Sequence, residues 1–250
     1  MQDYSNKRFL VVDDFSDFRS SVKAMLRDMG AKDVDTADCG EDTLAMCRHK
    51  RYDIILHDYN LGAGKNGQQV LEELLIGKLI SHQCIFIMVT AESSQAMVLS
   101  ALEHEPDAYL TKPFNRASLI QRLDKLVERK DALKPILQAL DKHDPAAVLA
   151  ASTTLSQQDK RYAPLCQRYR AGALRDLGRQ DELETLLTGI LADRATPWAC
   201  MALGSLLHAR GQLPRARDVY EQGLQSFPMM PGLYDGLAAV LLAQGESSRA

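Results

Sequence analysis

Five residues stand at or just beyond the ends of short apolar runs, and their types define a chemistry. Asp13 and Asp14 follow Phe9-Leu10-Val11-Val12, and Asp58 follows Ile54-Ile55-Leu56 with only His57 between. Thr90 follows Ile85-Phe86-Ile87-Met88-Val89, and Lys112 comes soon after Ala108-Tyr109-Leu110. Three carboxylates in one crevice repel one another unless a cation intervenes. A hard cation with oxygen ligands suits them, and Mg²⁺ characteristically takes one or two carboxylates, waters and a phosphate oxygen. A nucleophilic oxygen, a metal and further donors that share charge are the parts of a phosphoryl-transfer site. Asp58 is the candidate nucleophile, Mg²⁺ and Lys112 the charge partners, and the Thr90 hydroxyl a donor.

These residues meet only if the apolar runs are neighbouring parallel strands. The strong runs are apolar with little alternation, as in strands buried on both faces. Asp33 to Ala37 is a weaker strand candidate, as is Ala108 to Leu110. Helical patterns lie between them at Ser16–Met29, Glu41–His49, Gln68–Ile76, Ser94–Glu103 and Asn115–Arg129. Five strand–helix units predict an α/β doubly wound parallel five-stranded sheet with helices on both faces. Ligands of such sheets bind at the carboxyl ends of the strands, where these five residues would lie.

The segments FLVVDDF, DIILHDYN, IMVTAES and AYLTKPF resemble the receiver domain of two-component response regulators, over roughly residues 5–130. That resemblance implies a flavodoxin-like strand order of 2-1-3-4-5. It implies that Asp58 is the phosphoacceptor, served by a histidine kinase or phosphotransfer protein, and that Asp13 and Asp14 bind Mg²⁺ together with Asp58. Asn60 would add its backbone carbonyl to the metal shell. Lys112 would contact the phosphoryl oxygens, with Lys112-Pro113 in the cis form. Thr90 and Tyr109 would act as the switch pair, one turning toward the phosphoryl group and the other inward behind it. Such a chain phosphorylates and dephosphorylates itself and is not an enzyme with an external substrate. Pairing of receivers into a homodimer, through the fourth helix, fifth strand and fifth helix, stays open.

The sequence departs from the family pattern after Asp58. The usual hydrophobic-Pro pair is absent, and Gly67 stands nine positions after Asp58 where eight is usual. Gly62 and Gly64 loosen the intervening loop. His57 occupies a place where an apolar residue is common, and reads as a packed or hydrogen-bonded histidine. Two rival readings remain: a receiver that works as a phosphorylation-independent scaffold, and an aspartate-based phosphohydrolase. The second calls for a DxD motif after the first strand, whereas Asp13 and Asp14 are adjacent.

The second half is rich in Ala and Leu and shows no convincing strand. Pro164, Pro197 and Pro231 recur at intervals of 33 and 34 residues, as do Gly178, Gly211 and Gly245. Proline suits the first turn of a helix and glycine the left-handed turn that ends one. Two markers with one period predict a helix–turn–helix repeat array. Leu203, Gly204, Leu207, Ala216, Tyr220, Gly223 and Pro228 resemble the tetratricopeptide pattern. Leu183 and Leu187 fill the small and aromatic slots of a looser unit before it. Residues 131–160 predict a further, degenerate helix pair, Leu133 to Leu140 and Pro145 to Leu155. A receiver at 1–130 and a tetratricopeptide-like domain at 131–250 follow, with an unidentified protein as the partner of the second. Residues 115–141 read as largely helical, from Asn115 as the cap toward Asp141, and if the last receiver helix continues into the repeat domain, the connector is stiff. The central alanine of the last repeat falls at Ala250, so the array is expected to be incomplete there.

Composition narrows the rest. The chain has 250 residues, 46% hydrophobic and 25% charged, as in ordinary globular proteins. Residues 1–130 hold 17 Lys and Arg against 20 Asp and Glu, and residues 131–250 hold 13 of each. Neither half has the basic excess that nucleic-acid binding requires. The five scattered cysteines lack metal or redox spacing, and no apolar run is long enough to span a membrane. A cytoplasmic location with reduced thiols is the expectation.

Overall fold

Hydrophobic strands that alternate their side chains between two faces need cover on both, and the chain supplies it. The computed structural model describes residues 2–62, 64–91 and 105–245. These divide into two compact units, residues 2–91 with 105–142 and residues 143–245. The first contains β1 (Arg8–Val12), α1 (Ser16–Asp28), β2 (Asp33–Ala37), α2 (Gly40–His49), β3 (Ile54–Asp58), α3 (Gly67–Ile76), β4 (Ile85–Thr90), β5 (Ala108–Thr111) and α4 (Arg116–Asp141). The five strands form a parallel sheet in the order β2-β1-β3-β4-β5. The helical pattern at Ser94–Glu103 lies outside the described residues.

Alternate strand residues enter separate cores. Phe9, Val11, Ile54, Leu56, Ile87 and Val89 pack with Val22 and Leu26 of α1 and Leu119 and Leu123 of α4. Leu10, Val12, Ile55, Phe86 and Met88 pack with Leu44 of α2 and Val70, Leu71 and Leu74 of α3. Burial on both faces explains why these strands read as continuous apolar runs. Parallel pairing also puts every strand's carboxyl end at one edge, with Val12 beside His57, Asp58 beside Val89, and Thr90 beside Thr111.

Two helix starts are fixed by capping boxes. Asn66 accepts from Gln69 N at the start of α3, and Asn115 accepts from Ser118 N at the start of α4. From there α4 runs unbroken for 26 residues, with Pro135 inside it. Leu133 to Leu140 is therefore the end of this helix and not the first helix of a separate pair. A boundary at 130 falls within it. Polar ties hold its second half to the first unit: Arg129 and Lys130 each lie 3.0 Å from Asp107, and His82 N donates to Asp141 Oδ1 at 2.8 Å.

The second unit is all helical: α5 (Pro145–Gln158), a single 3₁₀ turn (Lys160–Tyr162), α6 (Ala163–Asp176), α7 (Gln180–Asp193), α8 (Pro197–Ala209), α9 (Leu213–Ser226) and α10 (Pro231–Ala243). Pro164, Pro197 and Pro231 sit in first turns. Gly178, Gly211 and Gly245 follow helix ends with φ of 68°, 72° and 81°, a conformation that costs glycine little. Leu183, Leu187, Leu203, Leu207, Ala216, Tyr220 and Leu233 belong to its core. The alanine slot at Ala250 lies outside the described residues. Among the described residues, no helix is long and apolar enough to cross a membrane.

Candidate functional site

The carboxyl edge of the sheet assembles the acidic residues. Each of Asp13, Asp14 and Asp58 offers a carboxylate oxygen, and these lie within 4.8 Å of one another. Asp13 is fully buried, Asp58 is buried and Asp14 is exposed. Asp13 is held from several sides: its N–H donates to Ala37 O at 3.2 Å, Phe15 N donates to its Oδ1 at 2.9 Å, and Arg19 Nη1 donates to its carbonyl at 2.5 Å.

Lys112 supplies the opposing charge. Its Nζ lies 2.5 Å from Asp13 Oδ2 and 3.1 Å from Asp58 Oδ2. It also stands 4.3 Å from the centre of the Phe18 ring, which meets Phe114 edge-on at 5.6 Å. The Lys112-Pro113 peptide is cis, and Lys112 N donates to Thr90 O at 2.7 Å, which ties the ends of β4 and β5 together. Thr90 is buried at the end of β4. Tyr109 is half-buried on the opposite face, against the core under α2 and α3.

Burial works against a charged Lys112, but the Asp13 and Asp58 carboxylates outweigh it and hold its pKa above the ordinary value. At Asp58 burial wins: it raises the pKa, Lys112 opposes it, and Asp13 adds to the rise. The same ion pair therefore favours the charged lysine more than the charged Asp58, because Asp13 helps the former and hinders the latter. A raised carboxyl pKa gives stability that is full below the unfolded-state value and is lost as pH rises through the folded-state value. Asp58→Asn, neutral at every pH, should thus melt higher than the wild type at neutral pH without metal. In acid the two should converge. Differential scanning fluorimetry at the two pH values checks this, and a lower midpoint for the Asn variant at neutral pH would contradict it.

The segment after Asp58 is pinned by backbone contacts. Tyr59 N donates to Val89 O and Gly67 N to Tyr59 O, both at 2.8 Å. Gly67 must be glycine: a Cβ there would stand 2.5 Å from Met88 Sδ and 2.7 Å from Asp58 O. Gly67→Ala should displace the start of α3 and destabilise the first unit by about 1–3 kcal/mol; chemical denaturation followed by circular dichroism reads it. Asn60 is exposed, and its Oδ1 accepts from Gly62 N at 3.2 Å. His57 is fully buried, and burial pushes its imidazole down to about 4.

The structure thus brings Asp13, Asp14, Asp58 and Lys112 together, sets Thr90 beside them, and leaves Tyr109 on the other face. Sequence reasoning missed Phe18 and Arg19, which hold Lys112 and the Asp13 carbonyl. Their spacing from Asp13, one helical turn into α1, was the available signal.

A five-stranded parallel sheet of this order, with acidic residues and a lysine at its carboxyl edge, is the arrangement expected of a receiver domain, and likeness of sequence shows that the chain belongs to that family. The response regulator receiver domain model matches residues 9–124. The chain is similar to the chemotaxis protein CheY-3 of Vibrio cholerae, at 34% identity over 124 residues, which is 50% of this chain and 94% of that protein. It is also similar to CheY of Pseudomonas aeruginosa, at 31% identity over 122 residues, 49% of this chain and 97% of that protein. Among solved structures, Vibrio cholerae CheY4 aligns at 26% identity with a TM-score of 0.44, over 48% of this chain and 98% of that one. The receiver domain of the sensor histidine kinase PA1611 from Pseudomonas aeruginosa, solved with a magnesium ion in its active site cleft, aligns at 27% identity with a TM-score of 0.43, over 49% and 98%.

Proposed function

We propose that this chain is a response regulator whose Asp58 accepts a phosphoryl group from a histidine kinase or phosphotransfer protein, and whose helical unit passes the signal on by binding another protein. The observation that carries this reading is the grouping of three carboxylates within 4.8 Å, with one ammonium bonded to both Asp13 and Asp58.

The donor set fits Mg²⁺: hard oxygens, with one carboxylate exposed and two buried. Asp13, Asp14, Asp58 and the Asn60 backbone carbonyl would hold it. When bound, the ion neutralises charge on the transferring phosphoryl oxygens. An Asp58 carboxylate oxygen forms the new bond to phosphorus as the bond to the donor nitrogen or oxygen breaks, and the leaving group takes the electron pair. Lys112, already between Asp13 and Asp58, shifts its hydrogen bonds to a phosphoryl oxygen. The added charge of about −1.5 to −2, taken from phosphorylated side chains in general, biases Thr90 toward the phosphoryl group and Tyr109 inward.

The output rests on fold alone. Stacked helices make extended surfaces for peptides and helices, and the balanced charge of residues 131–250 disfavours nucleic acid. The test is chemical. The full chain with acetyl phosphate and Mg²⁺ should take up one phosphoryl group, and Asp58→Asn should take up none. Labelling that survives this substitution would overturn the assignment.

A further inference from the structure

His57 makes a contact that the chemistry above does not use. Its ring is fully buried at the end of β3, stacked on Phe86 with centroids 5.6 Å apart and planes at 23°. Nδ1 lies 2.7 Å from the carbonyl oxygen of Asp58. A carbonyl only accepts, so this geometry assigns the proton to Nδ1. Nε2 is then a bare acceptor, buried and without a hydrogen-bond partner among the described residues. Such an orphan disfavours the folded state, and an apolar side chain of similar size would remove it. What an apolar side chain lacks is a donor for the carbonyl of Asp58.

We propose that His57 is a positioning residue for Asp58: its Nδ1–H holds the Asp58–Tyr59 peptide and, through it, aims the Asp58 carboxylate and the Asn60 carbonyl. This rests on the reading of Asp58 as phosphoacceptor. The peptide groups between Asp58 and Asn60 are tied at three points, by His57 on Asp58 O, by Val89 on Tyr59 N, and by Gly67 on Tyr59 O. The last two are bonds between backbone groups. The first depends on one side chain. It is placed just before a turn in which Gly62 and Gly64 both take positive φ. Gly67 closes the same spot, since a Cβ on it would lie 3.2 Å from His57 Nδ1 as well as against Asp58 O. Any movement of the His57 ring is therefore felt at the Asp58 carbonyl and at the first turn of α3.

The full chain is labelled with acetyl phosphate and Mg²⁺ in four forms: wild type, His57→Asn, His57→Gln and His57→Leu. The Asn amide nitrogen takes the place of Nδ1, whereas that of Gln reaches the place of Nε2. Labelling of the Leu and Gln forms should slow about tenfold while Asn stays near wild type, as loss of one aimed hydrogen bond implies. The Leu form should melt no lower than the wild type, a combination that a purely structural histidine would not produce. A Leu form labelled at the wild-type rate overturns the proposal, and so does a folded Asn form as slow as Leu. Should the Leu form fail to fold, ¹⁵N chemical shifts of His57 in the unmodified chain decide: the Nδ1–H tautomer is expected, and the Nε2–H tautomer overturns it. A wild-type chain that takes no label refutes the phosphoacceptor reading and the proposal with it. A labelled wild type indifferent to His57 refutes the proposal alone.

Discussion

Truncating Tyr220 to alanine will destabilise the helical unit by about 3–5 kcal/mol, the range for a large buried aromatic side chain. Tyr220 is 5% exposed on α9, and its ring fills the space between two glycines. A Cβ on Gly204 of α8 would lie 2.5 Å from the ring, and one on Gly236 of α10 only 2.3 Å. The ring therefore joins three helices, and the cavity left by its removal is walled partly by residues without side chains to fill it. Such a site relaxes poorly, which puts the loss at the upper end. Tyr220→Phe keeps the ring and should cost under about 1 kcal/mol. Trp198, the single tryptophan, lies on α8 and packs against the same core, so its fluorescence during urea unfolding reports this unit. A loss below about 1 kcal/mol for the Ala variant would show that Tyr220 does not join the helices.

Replacing Lys112 with methionine will destabilise the metal-free chain by about 3–5 kcal/mol, because it leaves buried Asp13 without its cation. Asp13 has no exposed surface and Lys112 is 17% exposed, so solvent screens this pair little. Its 2.5 Å contact with Asp13 is supported by the nearby Asp58 at 3.1 Å and by Phe18. Saturating Mg²⁺ should recover much of the loss, since a metal held by the same carboxylates replaces the missing charge and stabilises the folded form by mass action. Labelling by acetyl phosphate should still fall about a hundredfold or more, as for removal of one preorganised charge donor. Melting curves with and without Mg²⁺, and initial labelling rates, read the two effects separately. A variant that is destabilised equally with and without Mg²⁺ would contradict a shared metal and lysine site.

Much of this was legible in the sequence because parallel strands advertise themselves. Residues 9–12, 54–56 and 85–89 are apolar at nearly every position, and the polar residue ending each run lies at the functional edge. Asp33 to Ala37 and Ala108 to Leu110 were fainter because an edge strand needs less cover, and both proved to be edges of the sheet. The period of proline and glycine marked the helix starts and stops of the second half. Where local pattern ceased to be informative, expectation and structure parted. Residues 115–141 read as largely helical, and the structure has one helix from Arg116 to Asp141; what the local pattern left open was whether Leu133 to Leu140 belongs to it or opens a pair with Pro145 to Leu155. Pro135 argues for a break there, and the ties from Asp107 and His82 to Arg129, Lys130 and Asp141 join residues far apart in the chain. Gly236 gave no signal either, because its role depends on a tyrosine ring from the preceding helix.

The central claim is that Asp58, among the clustered carboxylates, forms the bond to phosphorus. The most direct measurement is to label the full chain with acetyl phosphate and Mg²⁺, reduce the acyl phosphate with borohydride, and locate the product by peptide mass spectrometry. Reduction converts a phosphorylated aspartate to homoserine. Homoserine is expected at position 58, with Asp13 and Asp14 unchanged. Homoserine at either of those positions, or at a carboxylate outside this edge of the sheet, would contradict it.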